Sequence, residues 1–172
     1  MSARWLALSG FMGAGKTSVG RRVATRLGRE FVDSDRVIEE RAGMPIPEIF
    51  AKRGELWFRR TEEAVIREVL AGEPGVLALG GGALESAKTR GVLGRLADVV
   101  WLRADIDVLW ARVKDSDRPL VSDRARFERR ARAREEHYRE AAGLEVDAAG
   151  PADEVAARVA AWVAGAPAEA PR

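Results

Sequence analysis

The sequence predicts an α/β domain built on a parallel sheet with helices on both faces, and three observations carry that prediction. Short apolar runs alternate with helix-favouring stretches along the 172 residues. The run Val76-Leu77-Ala78-Leu79 shows no polar alternation, the pattern of a strand buried on both faces. The stretch Gly10-Phe11-Met12-Gly13-Ala14-Gly15-Lys16-Thr17 meets the G-x-x-x-x-G-K-[ST] phosphate-loop pattern at every fixed position, between an apolar run and a helix start.

Trp5-Leu6-Ala7-Leu8 is the first strand, and Val19, Val23 and Leu27 follow the loop at helical spacing, with Gly28 as C-cap. Glu30-Phe31-Val32 is a short strand ending at Asp33; Ser34 then caps a helix over residues 35–41, stopped by Gly43. Ile46, Ile49 and Phe50 stripe a short helix after Pro45 and Pro47. Gly54 breaks it, and residues 55–71 form a longer helix with Phe58, Val65, Ile66, Val69 and Leu70 inward. Gly72-Glu73-Pro74-Gly75 turns the chain into the strand at 76–79, which runs directly into Gly80-Gly81-Gly82. A helix over 86–96, a strand over 98–102 and a helix over 107–113 come next. Residues 115–124, with three Asp, two Ser and a Pro, read as a mobile loop, the core of a lid at about 115–127. A helix over 125–142, a weak strand at 144–146 and a helix from Pro151 carrying Val155, Val159, Trp162 and Val163 complete the domain, before an Ala/Pro-rich tail at 165–172 that frays.

The length suits one domain with one core. With 47% hydrophobic and 33% charged residues the chain is globular, and a formal charge of +2 is too small to imply a polyanionic partner. The absence of Cys removes disulfides, thiolate nucleophiles and Cys-based metal sites, and fits a reducing compartment. The stretch before Gly10 is too short for a secretory segment and no run approaches a membrane span, so the expectation is a cytoplasmic, monomeric protein without nucleic-acid or membrane partners.

In a parallel sheet, ligands bind beyond the carboxyl ends of the strands, where the Gly10 loop, Asp33, Gly80, Gly81, Gly82 and the segment after Leu102 all lie. Loop N–H groups and the positive helix end face phosphates, Lys16 reaches the β/γ-phosphates, and the Thr17 hydroxyl is placed to ligate Mg²⁺. Asp33 and Asp35 follow an apolar strand where a phosphate-loop protein needs an acidic metal support; Asp33 is assigned to the metal and Asp35 to the acceptor. Both are also suited to satisfying a helix dipole. Arg59 and Arg60 read either as ligand groups or as solvated partners of Glu62 and Glu63. The three glycines read as a place where a ligand lies against main chain, or as a flexible loop. Arg118 is a lid guanidinium or an ordinary loop arginine. The arginines of 129–139 are interleaved with acids and form a solvated face, and His137, the single histidine, is a surface helix residue.

Taken in order, Gly10 to Thr17, Asp33-Ser34-Asp35, Gly54-Glu55-x-x-Phe58-Arg59-x-x-Glu62, Leu79-Gly80-Gly81-Gly82, Arg118-Pro119-Leu120 and Arg134-x-x-x-Tyr138 resemble the shikimate kinase family, from the first strand to about Val146. The resemblance implies a three-layer phosphate-loop kinase fold with a five-stranded parallel sheet of order 2-3-1-4-5 and a short lid. It implies transfer of the ATP γ-phosphoryl to the 3-hydroxyl of shikimate, in aromatic amino acid biosynthesis. Carried over position by position, Asp35, Arg59, Gly81 and Arg134 bind shikimate, Lys16, Asp35 and Arg118 are catalytic, and Thr17 with Asp33 serves Mg²⁺. On the ATP side stand Gly13, Ala14, Gly15, Lys16, Thr17, Ser18, Arg112 and Arg118, with Arg112 available to stack on the base. The interval from Arg118 to Arg134 is a few residues shorter than the family's, which leaves Arg130 and Arg132 as alternatives to Arg134, and residues 147–151 lack the polar or basic residue often found beside adenine. A gluconate-type or nucleoside monophosphate kinase is the same-class alternative, and a nucleotide switch or motor ATPase the remote one.

Overall fold

The computed structural model describes residues 4–115 and 123–165. Five strands, β1 (Trp5–Ser9), β2 (Phe31–Asp33), β3 (Val76–Ala78), β4 (Ala97–Arg103) and β5 (Leu144–Asp147), form one sheet of order β2-β3-β1-β4-β5 in which every neighbouring pair is parallel. The helices are α1 (Lys16–Leu27), α2 (Ser34–Ala42), α3 (Ile46–Leu70), α4 (Ala87–Leu96), α5 (Ile106–Val113), α6 (Arg124–Ala141) and α7 (Ala152–Val163), with a single 3₁₀ turn at Ala83–Glu85. The strand order is the one expected from the sequence. β1 and β3 are buried at every residue because helices cover both faces of the sheet centre, which is why their sequences carry no polar alternation.

Register places the functional edge. Asp33 pairs with Ala78, and Ala78 with Leu8, so the chain leaves β2, β3 and β1 at one level. The phosphate loop, Asp33 to Asp35 and the three glycines therefore emerge side by side at the carboxyl ends of adjacent strands. Phe11, in the phosphate loop, packs edge-on against Phe127 of α6 at 4.9 Å between ring centres, and Phe127 against Trp110 of α5 at 5.2 Å. Burying an aromatic side chain stabilises a fold by roughly 1.5–3 kcal/mol, and here that burial seats α6 over the phosphate loop.

Two expectations are corrected. Asp33, not Ser34, is the N-cap of α2: its Oδ1 accepts the Asp35 N–H at 3.0 Å, and Ser34 is already helical, with its hydroxyl free to accept the Gly80 N–H at 3.0 Å. The break expected at Gly54 is present: its backbone (φ 79°, ψ 166°) is not helical and kinks α3 into two helical halves that both pack on α2. Ile38, Ile49, Phe58 and Val65 form that second, smaller core. The far end of the expected lid, from Arg124 onward, is the first turn of α6 and is anchored by buried Phe127. Arg118, Pro119 and Leu120 lie outside the described residues, as do residues 166–172 of the tail.

The backbone of Gly54 sits in a region that is open to glycine alone, although nothing stands within 4 Å of where a Cβ would project. Gly54→Ala should therefore destabilise the fold by about 1–3 kcal/mol through backbone strain, measured by denaturant unfolding. An unchanged midpoint would show that the kink does not depend on glycine.

Candidate active site

The phosphate loop takes its shape from glycine. Gly13 (φ 87°) and Gly15 (φ 88°) are left-handed, and a Cβ on Gly13 would stand 2.8 Å from the Leu109 carbonyl oxygen of α5. Lys16, at the start of α1, donates from Nζ to the carbonyls of Gly10 (2.7 Å) and Phe11 (3.1 Å), which holds its ammonium over the loop. Ala14 is buried against the loop, and Ser18, one turn into α1, accepts from Arg22 Nη1 at 2.9 Å. Arg112 ties the loop to the segment after β5: Nη1 donates to Gly13 O at 3.0 Å, and Nη2 to Ala148 O (2.9 Å) and Ala149 O (3.0 Å). These bonds lie in the guanidinium plane, so the flat face that stacking requires is separate from them.

Thr17 and Asp33 meet. The Thr17 hydroxyl donates to Asp33 Oδ2 at 2.6 Å, joining the start of α1 to the end of β2. One hydroxyl and one carboxylate suit Mg²⁺, a hard cation that keeps waters and takes phosphate oxygens. Among the described residues no group of three or more His, Cys, Asp or Glu is gathered for a metal.

Asp35 points elsewhere because α2 has begun by that residue, and helical rather than extended geometry separates the two carboxylates. It faces Gly80. A Cβ built on Gly80 would stand 2.7 Å from Asp35 Oδ1 and 2.5 Å from Glu62 Oε1, so two carboxylates converge on one bare α-carbon. On Gly82 a Cβ would meet Arg59 Nη1 and Nη2 at 2.5 and 2.6 Å, and Arg134 Nη2 at 2.8 Å. Two guanidinium groups from α3 and α6 thus converge two residues from the carboxylates. Gly81 lies between: its carbonyl accepts from Tyr138 Oη at 2.5 Å, and a Cβ there would lie 3.8 Å from Gly10 O, the carbonyl that Lys16 holds. The phosphate loop and this glycine turn are therefore direct neighbours.

Arg134 is buried at 4% exposure, and its guanidinium lies over the Phe11 ring at 5.5 Å, which sets it apart from the solvated arginines around it. Arg132 is exposed and pairs with Glu128 at 2.6 Å. Arg130 is half-buried, and desolvation together with the Arg134 charge lowers its pKa. Of the three arginines considered for this role, Arg134 is the one against the glycine turn. Arg59 donates to Glu62 at 2.7 Å, while Arg60 is exposed.

Glu62 and Glu85 escaped the sequence reading as site groups. Glu62 has the spacing of a surface ion-pair partner, and it does pair with Arg59, yet it is 3% exposed and its Oε1 has no hydrogen bond among the described residues. Burial pushes its carboxyl up to about 7 against the pull of Arg59, and the Asp35 charge adds to the rise. Glu85, in the 3₁₀ turn, meets Arg134 at 3.1 Å and Arg59 at 3.8 Å. Burial works to raise its pKa, but the two arginines hold it below the usual carboxylate range. No local pattern in the sequence marks either as buried or clamped.

Comparisons with known proteins point one way. The family model described as shikimate kinase matches residues 12–164. A shikimate kinase from Nitrobacter winogradskyi is 48% identical over 145 residues, covering 82% of this chain and 68% of the relative. One from Zymomonas mobilis is 50% identical over 119 residues, 69% of this chain and 68% of the relative. The solved structure of an Acinetobacter baumannii shikimate kinase in complex with shikimate superposes with a TM-score of 0.90 at 36% identity, covering 94% of this chain and 93% of that one.

The raised Glu62 value has a pH consequence. A carboxyl whose folded pKa lies above its ordinary 4.5 supports the fold most below that pH, and the contribution is lost as pH rises through about 7. Denaturant titrations across this window should show the unmodified protein losing stability relative to Glu62→Gln; parallel curves would return Glu62 to ordinary titration.

Proposed function

The chain belongs to the shikimate kinase family, and from that premise we propose that it transfers the γ-phosphoryl of ATP to the 3-hydroxyl of shikimate. The observation that carries the reading is the convergence of Arg59 and Arg134 on Gly82, next to a carboxylate at Gly80 and beside the phosphate loop. Shikimate is a carboxylate bearing several alcohols. Guanidinium forks match its anionic end, and a carboxylate with backbone N–H groups matches its hydroxyls. Gluconate carries the same kinds of group, so the choice of shikimate over it rests on the family match.

In this reading Arg59, Arg134 and the Gly81 main chain hold the substrate carboxylate, which aims the ring hydroxyls at Asp35. Asp35 orients the 3-hydroxyl and accepts its proton as the oxygen attacks the γ-phosphorus. The new O–P bond forms as the bond to the bridging oxygen breaks, and ADP leaves with that electron pair. Lys16 and the loop N–H groups offset the charge that builds on the transferred oxygens. Arg118, on the expected lid, is assigned the same task. Thr17 and Asp33 would hold Mg²⁺, which when bound neutralises charge on the phosphate oxygens. Ser18 and Arg112 belong to the nucleotide side, Arg112 by stacking on adenine. Among the described residues no helix is long and apolar enough to cross a membrane.

A coupled ADP-release assay should show turnover with shikimate and none above background with gluconate or nucleoside monophosphates; the reverse preference would overturn the assignment. Asp35→Asn should lower kcat by about 10²–10⁴-fold, the range for loss of a positioned base, while ATP still binds. Arg134→Ala should raise the KM for shikimate roughly 10–100-fold, the worth of a charge-assisted pair, with little effect on the KM for ATP.

A further inference from the structure

Glu85 ends the 3₁₀ turn that follows the three glycines, and its carboxylate already sits on the guanidinium groups that the reading above gives to the substrate. Its Oε1 accepts from Arg134 Nε at 3.1 Å, its Oε2 from Arg134 Nη2 at 3.3 Å, and Oε2 stands 3.8 Å from Arg59 Nη2. Two parallel N–H to oxygen bonds are the form in which an arginine takes any carboxylate, one on the chain or one from solution. The partners differ in freedom. The Arg134 side chain is 5% exposed and packed over Phe11, whereas the Glu85 side chain is 44% exposed. The glutamate can rotate into water, and the arginine cannot.

It also has somewhere to go. Arg130, one turn before Arg134 on α6, has no hydrogen bond or ion pair among the described residues, is half-buried, and acts on Glu85 through its charge. Arg59 keeps its pairs with Glu62 at 2.7 Å and Glu55 at 3.6 Å when Glu85 leaves, so the clamp is not left as two bare cations.

We propose that Glu85 is a resident competitor for the anion clamp. It holds Arg134 and Arg59 on an internal carboxylate until the substrate's carboxylate displaces it toward Arg130 and solvent. Glu85 thereby sets the affinity for the acceptor without touching its reacting atoms. The inference rests on the shikimate kinase reading of Arg59 and Arg134, and the test keeps the two apart.

Glu85→Gln preserves shape and removes the competing charge. Its KM for shikimate should fall about three- to fivefold, the scale of a half-exposed ion pair, with kcat and the KM for ATP held. Glu85→Asp, which keeps the charge on a shorter stem, should restore the KM toward the unmodified value. An unchanged or raised KM in Glu85→Gln would overturn the proposal, the raised value by showing that Glu85 braces the clamp. A structure of the unmodified enzyme with shikimate bound gives a second reading: Glu85 displaced from Arg134 supports the proposal, and Glu85 retained on it overturns it. If the unmodified protein does not phosphorylate shikimate, the functional reading fails, and calorimetry with benzoate still decides the competitor. Tighter benzoate binding by Glu85→Gln than by the unmodified protein supports it, and equal binding overturns it.

Discussion

A missing side chain governs the site. At Gly80 and Gly82 the main chain runs so close to charged groups that a single methyl would stand 2.5–2.8 Å from carboxylate and guanidinium atoms. Asp35 and Glu62 approach one of these α-carbons, Arg59 and Arg134 the other, from three different helices. Like charges are kept in pairs that repel, and each pair is offset by the opposite pair two residues away. Burial makes this expensive for an isolated charge, so the groups persist by being matched: Arg59 with Glu62, Arg134 with Glu85. Glu62, the most deeply buried of these carboxyls, is the one that burial pushes up to about 7.

The rest of the architecture brings that turn to the phosphate loop. Parallel register ends β1, β2 and β3 level with one another, so a loop after each strand opens on the same edge. Ser34 then ties α2 to the glycine turn through the Gly80 N–H, Tyr138 ties α6 to it through the Gly81 carbonyl, and Phe11 with Phe127 locks α6 to the phosphate loop. Each tie joins an element that carries a charged site residue to one that carries backbone donors. The kink at Gly54 lets α3 pack on α2 through Phe58 and Val65 while Arg59 and Glu62 face the glycine turn.

Much of this was legible in the residues. The strand order follows from the family pattern, the strand positions from apolar runs, and the phosphate loop from eight consecutive letters. Thr17 and Asp33 do meet, and Asp33 and Asp35 do part. The parting comes from α2, which begins at Ser34 and turns Asp35 by helical geometry, whereas residues two apart in a strand would share a face. Arg134 was separable from Arg130 and Arg132 only by burial, which no spacing rule encodes when seven arginines crowd one helix.

By itself the sequence determined the class of fold, the nucleotide cradle and the family, because those depend on local backbone chemistry: glycines that permit left-handed turns, a lysine and a threonine at set offsets, apolar runs long enough for buried strands. Only the tertiary structure decided which charges are buried and what they face. Glu62 and Glu85 look like ordinary helix and turn acids until three helices close on the glycine turn. Glu62 takes its character from desolvation, which its local pairing with Arg59 does not reveal, and Glu85 from an arginine 49 residues away in the chain, beyond the reach of any local pattern.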